Sequence, residues 1–322
     1  MKGLMVVAVA ALLAMGVSVS SAQHYPERPI RFLVPQVPGG ASDILARIIG
    51  QKLGEQWGQQ LVIDNRGGAA GNIGTELVAK SAPDGYTWLF AYVGTHAINA
   101  ALYKNLPFNA DKDFAAVATL ATLPFAVIVN NNLPAKNMAE LIALGKTRRG
   151  GLSYGSAGNG SLNHLLGVMV NSLSGVDMLH VPYRGAAALL GATVGGEVQL
   201  YYGSVPSVVQ QVKAGIVRAV AVTSARRSEA LKEVPTMAES GFPGFDVSPW
   251  FGVLAPAGTP AALIKKINAD INELLTRKDV IDRFAGLGAV PFATTPEQFT
   301  QIMRADIVKW AKVVKDSGAT VD

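Results

Sequence analysis

The 322-residue sequence contains no cysteine. That absence excludes a lipidated N-terminal cysteine, a disulfide framework and a thiolate nucleophile, so stability must come from packing. Histidine is scarce too: His24, His96, His164 and His180 are dispersed without paired spacing, and no metal site is expected. Phosphate signatures are missing. Gly145-Lys146-Thr147 ends like a Walker loop, but Glu140 stands where the first glycine belongs. Residues 67–71 (GGAAG) lack the G-x-G-x-x-G spacing, so no nucleotide or other cofactor is expected. Lysine and arginine (28) only modestly exceed aspartate and glutamate (23), for a formal charge of +5. The basic residues are scattered, with Arg148-Arg149 and Arg226-Arg227 only as pairs, which excludes a nucleic-acid footprint and leaves a mild preference for anionic partners.

Long apolar runs are lacking as well. Residues 4–17 are apolar but shorter than the ~18 residues a bilayer-spanning helix needs. Preceded by Lys2 and followed by Ser20-Ser21-Ala22, they read as a cleaved secretory signal peptide over residues 1–22. Its loss removes Lys2 and no acid, and lowers the formal charge to +4. The apolar stretch 114–129 is interrupted by Thr119, Thr122 and Pro124, and reads as buried strand with a break. The expectation is an exported, unanchored, periplasmic monomer, with enough chain to bury a sizeable core in two lobes.

Strand-like and helical segments alternate along the chain. Strands are expected over 30–34, 61–63 and 86–92, with helices over 43–53 and 74–81. The second half repeats this grammar, with strands over 152–154, 179–181, 198–202 and 217–222 and helices over 162–173, 186–194 and 207–214. The alternation predicts an α/β fold whose sheets are mixed and mainly parallel, flanked by helices. Two late helices start at Thr259-Pro260 and at Thr295-Pro296, the latter with Gln298 placed for a capping box. The last helix carries Phe299, Ile302, Met303, Ile307, Trp310 and Val314 at core spacing.

One construction occurs twice. A strand ending at residue 34 runs through Pro38-Gly39-Gly40-Ala41-Ser42 into a helix near Asp43. A second strand runs through Ser156-Ala157-Gly158-Asn159-Gly160-Ser161 into another helix. Glycine lets backbone N–H groups approach a ligand, and a helix start carries unpaired donors and partial positive charge. Facing each other, such loops would clamp an anion. Micromolar affinity needs about 8 kcal/mol, within reach of four or five charge-assisted hydrogen bonds at roughly 1.5–3 kcal/mol each, before the cost of immobilisation. Either loop alone is equally an ordinary β–α turn in which Ser42, Asp43 and Ser161 only cap helices. Asp43 has a further alternative, a ligand amino group. His164 would face the cleft or serve as a surface or capping residue, and Arg184 would approach an anion or sit in an exposed turn. Thr95, His96, Tyr202 and Ser204 follow strands and are candidates for the pocket wall.

One enzymatic motif matches by letters: Gly151-Leu152-Ser153-Tyr154-Gly155 fits G-x-S-x-G, with Ser153 as the nucleophile of a serine hydrolase. The context is wrong, because Ser153 falls within the strand rather than at the turn after it. Only His164 and His180 follow, both close in sequence. Binding without chemistry is therefore expected.

At these residues the sequence resembles the Bug-type periplasmic receptors of tripartite tricarboxylate transporters. The resemblance rests on residues 35–47 (PQVPGGASDILAR), 65–74 (NRGGAAGNIG) and 81–87 (SAPDGYT). It continues through 154–166 (YGSAGNGSLNHLL), 180–185 (HVPYRG), 234–241 (VPTMAESG) and 250–260 (WFGVLAPAGTP), in family order. It implies a Venus-flytrap fold, with lobe 1 formed by 23–124 plus 250–322 and lobe 2 by 125–249. The ligand carboxylate would be held by backbone donors and waters at Gly39, Gly40, Ala41, Ser42 and Asp43. Ser156, Ala157, Gly158, Asn159, Gly160 and Ser161 would hold it from the other side, with Thr95, His164, Tyr202, Gly203 and Ser204 around it. Family substrates include di- and tricarboxylates, acidic amino acids and aromatic acids, and two membrane subunits of a transporter would be the partner. A carboxylate sensor docking onto a membrane kinase would share every one of these features. Gln36-Val37 departs from the family's aromatic-plus-small pair. Tyr201-Tyr202-Gly203 lacks the acidic residue common in members that bind amino acids, which disfavours an amino-acid ligand.

Overall fold

The computed structural model describes residues 25–147 and 151–321. The expected leader at 1–22, His24 and the Arg148-Arg149 pair lie outside the described residues. Strands β1 (Ile30–Val34), β2 (Leu61–Asn65) and β3 (Thr87–Tyr92) alternate with helices α1 (Ala41–Trp57) and α2 (Asn72–Ala79). A π-helical turn (Gly94–Ile98) and the short α3 (Asn99–Leu102) lead to β4 (Phe114–Thr122). β5 (Phe125–Val129) and α4 (Met138–Thr147) open the second unit. It continues as β6 (Ser153–Ser156), α5 (Leu162–Ser174), β7 (Leu179–Pro182), α6 (Ala186–Gly195), β8 (Leu200–Ser204), α7 (Val205–Lys213) and β9 (Arg218–Val222). The chain then returns through β10 (Trp250–Pro256), α8 (Ala261–Thr276), α9 (Lys278–Gly286), β11 (Val290–Pro291) and α10 (Pro296–Ser317).

Two sheets result, ordered β11-β4-β10-β3-β1-β2 and β7-β6-β8-β5-β9. Within each, the βα units pair in parallel, β1 with β2 and β3, and β6 with β7 and β8. In the first sheet β10 runs against β3 and β4, and β11 against β4; in the second, β5 runs against β8 and β9. The apolar sequence of β1, buried at all but Arg31, suits a strand covered on both faces. Gly58, at φ 67°, closes α1 by donating its N–H to the Gly54 carbonyl, a left-handed end that glycine adopts without strain. The expected capping box at Thr295 and Gln298 is present, whereas Thr259 caps nothing; its hydroxyl donates to the Pro256 carbonyl at 2.7 Å.

Only Leu123 and Pro124 separate β4 from β5, so the predicted break is where the chain passes from one sheet to the other. The return segment meets it there, with the Leu123 N–H donating to the Pro249 carbonyl at 3.0 Å. One buried cluster is continuous across both units. Leu89 and Val93 of the first and Val127 and Leu165 of the second share it with Phe299, Met303 and Trp310 of α10. The C-terminal helix therefore packs on both lobes.

Candidate ligand-binding site

The loop after β1 reaches α1 through Gly40, an extended N-cap with no side-chain capping bond. The first helical bond runs from the Ile44 N–H to the Gly40 carbonyl. Among the described residues, no acceptor meets the amide N–H groups of Ala41, Ser42 and Asp43. The Ser42 hydroxyl beside them is buried and unpartnered. Gly39, at φ 86°, has open space where a side chain would project, but its N–H is already taken, donating to Asp43 Oδ2 at 2.9 Å.

The Asp43 carboxylate does not cap α1. It closes the loop by accepting the Gly39 N–H, and it pairs with Arg47 one turn on at 2.9 Å. Burial raises the carboxyl pKa, but the Arg47 guanidinium and the Gly39 amide outweigh it and hold the group below its usual range. Arg47 also reaches Asn65, whose amide donates to the Gln36 carbonyl, so the ends of β1 and β2 are tied together.

The second loop is organised from beneath. Ser161 is the N-cap of α5: its hydroxyl accepts the His164 N–H and donates to the Gly158 carbonyl at 2.7 Å. The Gly158 N–H reaches Ser156 Oγ at 3.1 Å, and the Gly160 N–H reaches His164 Nδ1 at 3.0 Å. Among the described residues, the amides of Asn159, Leu162 and Asn163 meet no acceptor. His164 is nearly fully buried and holds the loop through Gly160. His180, which its sequence position marks only as one more dispersed histidine, stacks on it with ring centroids 3.9 Å apart and puts Nε2 2.6 Å from Ser156 Oγ. The parallel register that sets His180 opposite Tyr154 brings it there, a relation no local spacing reveals.

Several expected wall residues have internal roles. Thr95 is fully buried, its hydroxyl donating to the Tyr92 carbonyl at 3.1 Å and lying 3.0 Å from His96 Nδ1. His96 packs against Phe108 and Phe114, where burial pushes its imidazole down to about 3. Tyr202 is fully buried against Tyr154 with its hydroxyl unpartnered, and its carbonyl accepts from the Asn163 amide. A side chain on Gly203 would strike Val208, and Ser204 donates to Ser207 at 2.9 Å. Arg184 lies exposed in a turn, the simpler of its two readings. Ser153 donates to Gln199 Oε1 at 3.0 Å from within β6, with no histidine at its hydroxyl, which overturns it as a nucleophile.

The two faces touch. Gly160 of the second loop lies so close to Leu102 of α3 that a β-carbon there would run into it. On the first lobe, Asn99 beside Leu102 donates to Ala70 and Asn72, locking the π-helical turn to the loop after β2. Two α/β lobes, each with a donor-rich helix start, joined by crossing segments and with Gly160 of one against Leu102 of the other, define a periplasmic-binding-protein fold, which takes up a solute without transforming it.

The chain belongs to the tripartite tricarboxylate transporter family receptors, whose sequence profile matches residues 45–319. It is 37% identical over 300 residues to Protein BugT of Bordetella pertussis, covering 93% of this chain and 92% of that one. The structure of R. palustris Rpa4515 with adipate superposes with a TM-score of 0.87 at 35% identity, over 92% of this chain and 99% of that chain. MatC (Rpa3494) from Rhodopseudomonas palustris with bound malate gives 0.81 at 32% identity, over 90% and 100%.

Proposed function

We propose that the chain is an extracytoplasmic solute-binding protein that closes two lobes, 23–124 plus 250–322 and 125–249, around a small organic carboxylate. It delivers that ligand to the membrane subunits of a tripartite tricarboxylate-type transporter, from the periplasm and after loss of the leader at 1–22. The observation that carries the reading is the pair of open helix starts. Ala41, Ser42 and Asp43 on α1 and Leu162 and Asn163 on α5 present unpaired amides, with the Ser42 hydroxyl among them. Five charge-assisted bonds at roughly 1.5–3 kcal/mol each span the about 8 kcal/mol of micromolar affinity, before the cost of immobilisation. Rpa4515 with adipate and MatC with malate make dicarboxylates the first ligands to try.

Calorimetry and thermal unfolding with adipate, malate, tricarboxylates and aromatic acids test the reading. A ligand at a hundred times its Kd adds about 2.7 kcal/mol of stability. If no carboxylate shifts the transition, the reading fails.

A further inference from the structure

Each stacked imidazole grips one end of the anion-facing loop. The Gly160 N–H donates to His164 Nδ1 at 3.0 Å, and His180 Nε2 lies 2.6 Å from Ser156 Oγ. That hydroxyl is also 3.0 Å from the Gly158 carbonyl and accepts the Gly158 N–H. We infer that His164 is a positioning residue that makes carboxylate binding acid-labile: its bare Nδ1 holds Gly160, and a proton on that nitrogen releases the loop. The inference rests on the carboxylate-binding reading above.

The chemistry follows from lone pairs. Nδ1 accepts the Gly160 N–H only while unprotonated; protonated, it becomes a donor facing a donor. Gly160 has φ 71° and abuts Leu102, so the loop has few ways to rearrange without moving off the first lobe. His180, with its ring only 14° from parallel to His164, disfavours a second positive charge on the pair.

The other titratable groups facing the pair are phenols, Tyr154 of β6 at 5.2 Å from the His180 ring and Tyr202 of β8 behind it. Tyr183, in the turn after β7, turns its hydroxyl to Glu197. Among the described residues, no carboxylate ion-pairs with either imidazole from β6, β7, β8, α5 or the α10 helix packed on it. Nothing therefore holds a proton on the pair at neutral pH, and burial lowers both rings, His180 to about 4.

The test compares the wild type with His164→Asn and His164→Leu, using adipate as probe from pH 7.5 to 4.5. Asparagine places an amide oxygen near the Nδ1 position and does not titrate. The wild-type Kd divided by the His164→Asn Kd should be flat near neutrality and rise about tenfold per pH unit below the imidazole pKa, the signature of one proton. The ratio cancels the titration of adipate itself. His164→Leu should bind poorly at every pH. A ratio flat throughout, or wild-type binding that tightens on acidification relative to His164→Asn, overturns the inference. A second readout needs neither variant nor ligand: the Gly160 amide NMR shift in the free wild-type protein should follow the His164 titration, and an invariant shift overturns it. Should adipate fail to bind at pH 7.5, that failure counts against the reading of function, and the Gly160 shift still decides the role of His164.

Discussion

The Thr223 hydroxyl donates to the Val247 carbonyl at 2.7 Å, and its Oγ1 accepts the Phe125 N–H at 2.9 Å. Backbone bonds repeat the link: the Thr223 N–H donates to Phe125 and the Val247 N–H to Thr223, each at 2.8 Å. One fully buried side chain thus joins both segments that pass between the lobes. Thr223→Val keeps the shape and leaves a donor and an acceptor unpaired, at about 1–3 kcal/mol each. Thermal unfolding should show a clear fall in Tm for Thr223→Val and a much smaller one for Thr223→Ser. Equal losses would remove the hydroxyl from the account.

Arg47 stands between a buried carboxylate and the proposed anion seat. Arg47→Ala leaves the Asp43 charge uncompensated beside the α1 amides, and carboxylate affinity should fall by about three- to tenfold, up to 1.4 kcal/mol. Adding Asp43→Asn should recover much of that loss. Calorimetry on the double-mutant cycle decides, and an unchanged Kd in Arg47→Ala would show that its charge does not reach the seat.

Gly160→Ala meets two obstacles, a left-handed φ that costs an L-residue about 1–2 kcal/mol and collision with Leu102. Binding should drop by more than tenfold while the transition midpoint moves only a few degrees. Leu102→Ala in the same chain should restore part of the affinity. Wild-type binding by Gly160→Ala would mean the loop does not need this approach.

The buried histidines set the response of stability to acid. Unfolded chains take up a proton near pH 6.5, whereas folded His96 resists until about 3 and His180 until about 4. Stability contributed by the neutral imidazoles is therefore full above pH 6.5 and falls as pH drops toward those lower values, by about 1.4 kcal/mol per unit for the fully buried His96 and by less for the half-buried His180. His96→Phe should lose about 2 kcal/mol less than wild type between pH 6.5 and 5, read from urea midpoints. Parallel curves for the two proteins would refute this.

The fold was legible where local rules are strong. Strand and helix alternation, Pro124 between β4 and β5, and the pairing of Thr295 with Gln298 all follow from neighbours within a few residues. The two glycine loops could be found for the same reason. What each loop atom does depends on distant partners. Gly39 loses its N–H to Asp43, Thr95 turns inward in a π-helical turn, and Ser156 meets His180 through strand register. Spacing along the chain does not encode such contacts, so the internal hydrogen bonds of residues placed on the wall by position were not legible.

The placement of β10 has a consequence for assembly. Among the described residues β4 finds its strand neighbours only in β10 and β11, and β3 lacks one side until residues 250–256 exist. The first sheet therefore cannot close in the order the ribosome makes it. The seam stays open until residues 250–256 are made, and contacts of such sequence separation form slowly. For the exported precursor proposed above, that delay keeps the first lobe unclosed and threadable throughout synthesis of the second.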